Sequence, residues 1–344
     1  MSAPVFIEQQ LQALKSLLAT PKSVVITTHH KPDGDALGST LGLKSVLESL
    51  GHRVTAVLPS EFPMFLSWMS GADQCVDFMQ DPQKARSVLK NAELLFCLDF
   101  NDPSRVEKME GDLLQTNCTT VLIDHHLDPK PGFVHLQFSY PSVASTCELL
   151  VHLLLSMEMD GHLNRESAEA LYCGIMTDTG SFRFNSVTAA THRVVARLME
   201  EGVRNDDIHA AIYDTSSVWR MRFLGYTLHE KMQVLEEYKT VIFTASQADM
   251  QAFHHASGDL EGIVNYGLAI RGMQVAVFFS ERDGLVKISF RSKGVFSVKE
   301  IAEKHFEGGG HRNAAGGRSS LSLEKTVEKF IALLPEYNPA SNQI

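Results

Sequence analysis

Cysteine is scarce in this chain of 344 residues: there are five, widely spaced at Cys75, Cys97, Cys118, Cys147 and Cys173, with no C-x-x-C pair. An odd, scattered set argues against a disulfide framework and reads as buried thiols in a reducing cytoplasm. Long apolar runs are missing as well, none approaching the roughly 18 residues needed to span a membrane. Residues 1–22 lack a basic segment followed by a continuous apolar core, so no signal peptide is evident. They read instead as an amphipathic helix with Ile7, Leu11, Leu14, Leu17 and Leu18 at helical spacing. Positive charge is in short supply, with 31 Lys and Arg against 41 Asp and Glu and a formal net charge of −10. That argues against a protein that coats long nucleic acid through a basic face, because such binding depends on many cations neutralising phosphates. A short anionic substrate stays open, since it needs only a few local Arg or His and metal ions to offset the carboxylates around them.

What is present suits a soluble globular protein of two domains, each large enough for its own core: 44% of residues are hydrophobic and 21% charged. The chain is organised around Val24-Val25-Ile26-Thr27-Thr28-His29-His30-Lys31-Pro32-Asp33-Gly34-Asp35. A β-branched, apolar run stops at a cluster of His and Asp, and small residues with a helical pattern follow, ending at Gly51. This is the signature of a loop at the carboxyl end of a buried strand, where open α/β sheets keep their chemistry. His29, Asp33 and Asp35 offer one imidazole and two carboxylates, donors suited to Mn, Mg, Fe or Zn rather than to a soft thiolate site. Taken alone, Pro32-Asp33-Gly34 is ordinary turn chemistry.

Three further clusters of the same character change that reading. Leu94-Leu95-Phe96-Cys97-Leu98 ends at Asp99, and Thr119-Thr120-Val121-Leu122-Ile123 ends at Asp124-His125-His126. A helical segment, Ser167 to Met176, leads into Thr177-Asp178-Thr179-Gly180-Ser181-Phe182-Arg183. Any one Asp at a strand end passes for a helix N-cap, but four clusters have a simpler common cause in one metal-binding crevice at the carboxyl edge of one parallel sheet. His29, Asp33, Asp35, Asp99, His125 and Asp178 are six side chains, more than one catalytic ion with an open position takes. Two ions bridged by a carboxylate, about 3.5–4 Å apart, activate a water and clamp both oxygens in displacement at phosphorus. The chemistry indicated is metal-assisted phosphoester hydrolysis.

Thr188 to about Tyr238 reads as helical throughout, without Pro or a long Gly/Ser run, and resembles an ordered connector. Trp219, Phe223 and Tyr226 are assigned to packing. Strands are expected over Lys239–Thr244, Met273–Ser280 and Leu285–Phe290, the last two joined by a hairpin at Glu281-Arg282-Asp283-Gly284. Short helices are expected over Ala245–Ala256, Ser297–Lys304 and Leu323–Leu334. Between the last two lies Gly308-Gly309-Gly310-His311-Arg312-Asn313-Ala314-Ala315-Gly316-Gly317, read as a loop. Glycine lets backbone N–H groups approach an anion, His311 and Arg312 add directional donors, and the alanines allow tight helix packing.

The H-x-x-x-D-x-D of His29 to Asp35, the lone Asp99, Asp124-His125-His126 and Asp178-Thr179-Gly180 resemble, in order and spacing, the four motifs of the DHH phosphoesterases. The G-G-G-H of Gly308 to His311 resembles the DHH-associated domain, as does Ser289-Phe290-Arg291-Ser292. The family includes RecJ-type exonucleases, manganese pyrophosphatases, cyclic-di-AMP phosphodiesterases and NrnA-type oligoribonucleases, and the short NrnA type fits best. The resemblance implies an α/β fold of two domains: residues 1–190 a larger domain with a mostly parallel sheet flanked by helices, 191–238 the helical connector, and 239–344 a smaller α/β domain with a mixed sheet. It places the active site in a cleft between them.

It also implies roles. His29 and Asp33 hold one ion and Asp35, His125 and Asp178 the other, with Asp99 bridging; two Mn2+ are expected, with Mg2+ or Co2+ as substitutes. His126 assists catalysis and Asp124 orients the neighbouring imidazoles. His30 is read as a group near ligands or substrate, or equally as a solvated loop histidine. Arg291, Ser292, Gly309, Gly310, His311 and Arg312 hold the substrate, while Arg105 and Arg183 are phosphate contacts or, equally, surface ion-pair partners. The expected activity is cytoplasmic hydrolysis of short single-stranded RNA to mononucleotides, with 3′-phosphoadenosine-5′-phosphate (pAp) as a second substrate; duplex DNA and membranes are not expected partners. The alternatives are a cyclic-di-AMP or pApA phosphodiesterase, a pyrophosphatase or exopolyphosphatase, and a non-catalytic nucleotide-binding regulator. The sequence leaves the oligomeric state open, a homodimer included.

Overall fold

A computed structural model of the chain describes residues 3–256, 258–282 and 284–339, which fall into two compact units, residues 1–215 and 216–344. The first unit runs α1 (Glu8–Leu18), β1 (Ser23–Thr27), α2 (Gly34–Ser49), β2 (Arg53–Leu58), β3 (Val76–Asp77), α3 (Pro82–Lys90), β4 (Leu94–Leu98), α4 (Glu110–Leu114), β5 (Thr119–Asp124), β6 (Leu136–Ser139), α5 (Thr146–Ser156), α6 (Arg165–Asp178), α7 (Ala189–Met199) and α8 (Asn205–Tyr213). Its six strands form one sheet in the order β3-β2-β1-β4-β5-β6, every pair parallel. The short strands β3 and β6 carry no long apolar run, and the sequence pattern did not mark them.

Continuous apolar runs suit this sheet because both of its faces are covered. Val24 and Ile26 of β1, Leu94, Phe96 and Leu98 of β4, and Val121 and Ile123 of β5 enter one core with α1, α2, α5, α6 and α7. Val25, Leu95, Cys97 and Leu122, the alternating residues, enter the opposite core with α3 and α4. Strand order reverses between β1 and β4. At such a switch point the loops after neighbouring strands leave to opposite faces and open a crevice at the carboxyl edge.

Helices α2 and α6 meet unusually closely. A Cβ at Gly38 would sit 2.4 Å from the Ala170 carbonyl oxygen, and one at Gly174 would sit 2.2 Å from Cys147 Sγ and 3.0 Å from Asp35 Oδ1. Only a missing side chain permits those approaches. The contact brings the end of α6, and with it Asp178, against the start of α2.

The second unit runs α9 (Val218–Glu230), β7 (Met232–Leu235), β8 (Thr240–Ala245), α10 (Gln247–Ala252), α11 (Ile263–Ala269), β9 (Val275–Arg282), β10 (Leu285–Ser292), α12 (Val298–His305), β11 (Gly309–His311), β12 (Ala314–Ser319) and α13 (Leu323–Tyr337). Its sheet is mixed, in the order β11-β12-β10-β9-β8-β7, with β8 and β9 parallel and the other pairs antiparallel. Two stretches differ from the sequence expectation. The segment expected to be helical up to Tyr238 contains β7, an exposed edge strand whose few apolar residues do not distinguish it from a helix end. The glycine-rich stretch is a hairpin of β11 and β12 rather than a loop leading to a helix, because pairing to β10 supplies hydrogen bonds that local propensity does not predict. Asp283 of the expected β9–β10 turn lies outside the described residues.

Of the three aromatics assigned to packing, Phe223 is buried against Phe253, and Tyr226 packs on the same ring and donates its hydroxyl to Asp249 at 2.7 Å. Trp219 is 40% exposed, beside His254 and Arg222. No described helix is long and apolar enough to cross a membrane.

Candidate metal centre

The three acidic strand-end loops and the end of α6 converge at the switch point. His29 follows β1, and its Nε2 lies 3.5 Å from Asp99 Oδ2 and 3.9 Å from Asp33 Oδ1. His125 follows β5, and its Nε2 lies 3.6 Å from Asp99 Oδ1, 3.4 Å from Asp178 Oδ2 and 3.9 Å from Asp35 Oδ2. These separations exceed those of hydrogen bonds. They match donors sharing one cation, since ligands about 2.1 Å from an ion lie roughly 3–4 Å from one another. The donor atoms form two sets, His29-Asp33-Asp99 and Asp35-His125-Asp178, and Asp99 presents one oxygen to each; Asp99, His125 and His126 form a third, overlapping group. The chemistry of the donors, imidazoles and carboxylates without thiolate, fits hard or borderline divalent ions.

The backbone is specialised at these positions. Asp99 adopts φ 62, a left-handed conformation uncommon for a residue with a side chain, and its amide donates to the Ile123 carbonyl at 3.1 Å. Asp33 is at once a member of the first set and the N-cap of α2, with Oδ1 accepting from the Asp35 and Ala36 amides, both at 3.1 Å. The capping and metal readings of that residue therefore coexist.

The electrostatics of the cluster favour a cation. Burial first, and then the neighbouring carboxylates of Asp35, Asp33, Asp178 and Asp124, push the Asp99 carboxyl well above its ordinary range. Asp178 is raised in the same way by burial, Asp35 and Asp33, while burial lowers His29. So many carboxylates in one buried crevice repel each other, and divalent ions would relieve that repulsion.

Asp124 is fully buried and lies outside both ligand sets. Its Oδ1 accepts from His126 Nδ1 at 2.7 Å and its Oδ2 from the His126 amide at 3.1 Å, which fixes the orientation of that imidazole. His30 packs its Nδ1 3.2 Å from Glu107 Oε1 and its amide donates to the Arg105 carbonyl, so it is paired rather than solvated. Arg105 and Arg183 are both exposed, the latter with its guanidinium 5.8 Å from the Phe184 ring centroid, and neither forms an ion pair among the described residues.

Sequence reasoning missed the start of α5. Asp35 Oδ2 accepts from the Thr146 amide at 2.7 Å and Oδ1 from the Cys147 amide at 2.9 Å, while the Thr146 hydroxyl donates to Asp99 Oδ1 at 2.9 Å. The available signal was Ser145-x-x-Glu148 before an apolar run, a helix-start pattern.

Against known families, residues 23–175 match the DHH family, N-terminal domain, and residues 247–338 match the DHHA1 domain. The chain is 31% identical, over 97% of its own length and 95% of the relative's, to the bifunctional oligoribonuclease and PAP phosphatase NrnA of Thermus thermophilus. It belongs to the DHH family. The crystal structure of an exopolyphosphatase-related protein from Bacteroides fragilis superposes with a TM-score of 0.96 at 33% identity, covering 99% of this chain and 100% of that one. The cyclic-di-AMP phosphodiesterase PdeA of Listeria monocytogenes is 26% identical over 95% of this chain but only 49% of its own length.

In the DHHA1 unit, Arg291 on β10 is half-buried, and the burial lowers its pKa. Its Nη1 donates to the Phe290 carbonyl at 2.9 Å, and among the described residues no carboxylate pairs with it. Ser292, expected beside it as an anion contact, has its hydroxyl donating to the Phe296 carbonyl at 2.7 Å and accepting from Asn313 Nδ2 at 2.9 Å. Asn313, which sequence reasoning passed over, also donates to the Gly294 and Phe296 carbonyls and so ties the β11–β12 turn to the loop after β10. His311 and Arg312 are exposed at that turn.

Proposed function

We propose that this chain is a metal-dependent phosphoesterase that hydrolyses short single-stranded oligoribonucleotides to mononucleotides and pAp to AMP. One observation carries the reading: two donor sets, with the Asp99 carboxylate of the first also facing the second, at the switch point of a parallel sheet, in a chain matching an oligoribonuclease and PAP phosphatase along nearly its whole length. His29 and Asp33 would hold one divalent ion, manganese by preference, and Asp35, His125 and Asp178 a second, with Asp99 common to both. Such ions supply positive charge at the phosphate and a water of lowered pKa.

The remaining work belongs to the chain's own groups. Asp124 keeps the proton of His126 on Nδ1, so the proton that His126 exchanges with the leaving oxygen is the one at Nε2. A half-buried guanidinium that has no carboxylate partner among the described residues is well placed to take up an anion, which supports Arg291 as a contact for a phosphate of the substrate. We assign His311, Arg312 and the amides of Gly309 and Gly310 to the same anion, with Ser292 shaping the turn through Asn313. Arg105 and Arg183 are proposed as further phosphate contacts. The domain assignment follows the family: a catalytic DHH domain, a helical connector and a substrate-binding DHHA1 domain.

The test is turnover with Mn2+ on a 5′-labelled RNA dinucleotide, pAp, cyclic-di-AMP and pyrophosphate, alongside an Asp99→Ala control. Cleavage of the dinucleotide and pAp, lost in the control, is the expected result. Cleavage confined to cyclic-di-AMP would move the chain to the activity named for PdeA, and cleavage confined to pyrophosphate would make it a pyrophosphatase.

A further inference from the structure

We infer that Thr146 is a positioning residue of the metal centre: its hydroxyl sets the orientation in which the Asp99 carboxylate faces both donor sets. The inference rests on the two-cation reading above. A carboxylate that bridges through both oxygens needs each of them to point at a different ion, and rotation about the Cβ–Cγ bond moves both oxygens at once. Asp99 Oδ2 lies 3.5 Å from His29 Nε2, and Oδ1 lies 3.6 Å from His125 Nε2. The Thr146 hydroxyl donates to Oδ1 at 2.9 Å. It occupies one lone pair of that oxygen, leaves the other for an ion, and locks the rotation.

Thr146 is itself held rigidly enough to do this. It is fully buried, and its backbone amide and that of Cys147 grip the two oxygens of Asp35. One short segment therefore orients a carboxylate of each kind, the one shared between the sets and one confined to the second set. Behind it, Ser145 caps α5 by accepting from the Glu148 amide at 3.0 Å. The buried Glu148 carboxylate accepts from the Ala144 amide at 2.9 Å and from the Thr191 hydroxyl of α7 at 3.1 Å, which ties the helix start from the far side. Among the described residues the Thr146 hydroxyl donates to no group but Asp99.

The experiment measures Mn2+ binding to the full chain by titration calorimetry, together with thermal unfolding of the metal-free protein, for wild type, Thr146→Val and Thr146→Ser. Valine keeps the shape and removes the donor; serine keeps the donor. Loss of a partner that orients a ligand costs about 10–100-fold in metal affinity, so T146V is expected to bind Mn2+ at least tenfold more weakly while T146S stays within about threefold of wild type. The Mn2+ concentration for half-maximal turnover should shift in parallel, with activity recovering at saturating metal. Wild-type affinity in a folded T146V, or equal losses in T146V and T146S, would overturn the inference and leave the metal reading intact. If wild type itself binds no Mn2+, the metal reading fails and this inference with it. Should T146V not fold, Thr146→Cys against Thr146→Ser makes the same comparison, because a thiol is a far weaker donor; equal affinities there would also overturn it.

Discussion

At the scale of single residues, Asp99 and Arg291 carry complementary demands. Asp99 is a buried carboxyl among carboxylates, whose charge is relieved by a cation or by a proton, and Arg291 is a half-buried guanidinium with no carboxylate partner among the described residues. Asp99→Asn preserves the shape of the side chain but removes the charge shared between the two donor sets. Turnover should fall by at least ~10³-fold, because several kcal/mol of charge stabilisation are lost; steady-state assays at saturating Mn2+ check this. Arg291→Ala should instead raise KM by about 10–100-fold, the worth of a hydrogen bond to a charged group, with a smaller change in kcat. A fall in kcat at unchanged KM would contradict the division of labour between the two units.

At the scale of elements, α2 and α6 pack closely where they meet at the site. The contact carries Asp35 on one helix and Asp178 on the other, and Gly174 of α6 faces Asp35 across it and Cys147 at the start of α5. Gly174→Ala puts a methyl group 2.2 Å from Cys147 Sγ and 3.0 Å from Asp35 Oδ1. Overpacking of this kind costs typically 1–3 kcal/mol. Denaturant unfolding should show that loss, and Mn2+ affinity should fall with it because Asp35 is displaced from its two amide donors. Unaltered stability with unaltered metal binding would mean the helices part without consequence for the site. The strand-end clusters of β1, β4 and β5 were legible in the sequence because each apolar run breaks off at a charged residue. The hairpin of β11 and β12 was not, since glycine and alanine carry no periodicity and only the edge of β10 makes them a sheet.

At the scale of the whole molecule, the proposed metal would compete with protons for one cluster. The folded-state pKa values of Asp99 and Asp178 are raised, so without metal the folded chain binds more protons than the unfolded chain above the ordinary carboxylate range. Stability then falls as pH rises through the interval between the unfolded and folded values. The lowered His29 acts in the opposite sense: its penalty for staying neutral is lost as pH rises through its ordinary value of 6.5. Metal binding needs both acids deprotonated and the imidazole neutral, so for binding the signs agree. The rise in Tm produced by saturating Mn2+ should be larger at pH 7.5 than at pH 5.5. At free metal 100 times Kd the stabilisation is about 2.7 kcal/mol. A thermal shift independent of pH would place the bound metal elsewhere.

The sequence by itself determined the candidate donors. Residue type and the position of each cluster at the end of an apolar run are local properties, and His29, Asp33, Asp35, Asp99, His125 and Asp178 are all brought together by the fold. It also determined a parallel sheet covered on both faces, because only such strands are apolar without alternation. The partners of those donors were decided by tertiary structure alone. Thr146 lies 47 residues from Asp99 and 111 from Asp35 in the chain, and no pattern within a segment records a hydrogen bond across such a separation. Likewise the Ser292 hydroxyl, expected to face an anion, donates to the Phe296 carbonyl and accepts from Asn313, partners that only the fold supplies. A side chain's chemistry is written in its own residue, but what that chemistry is spent on depends on which neighbour the folded chain brings within about 3 Å.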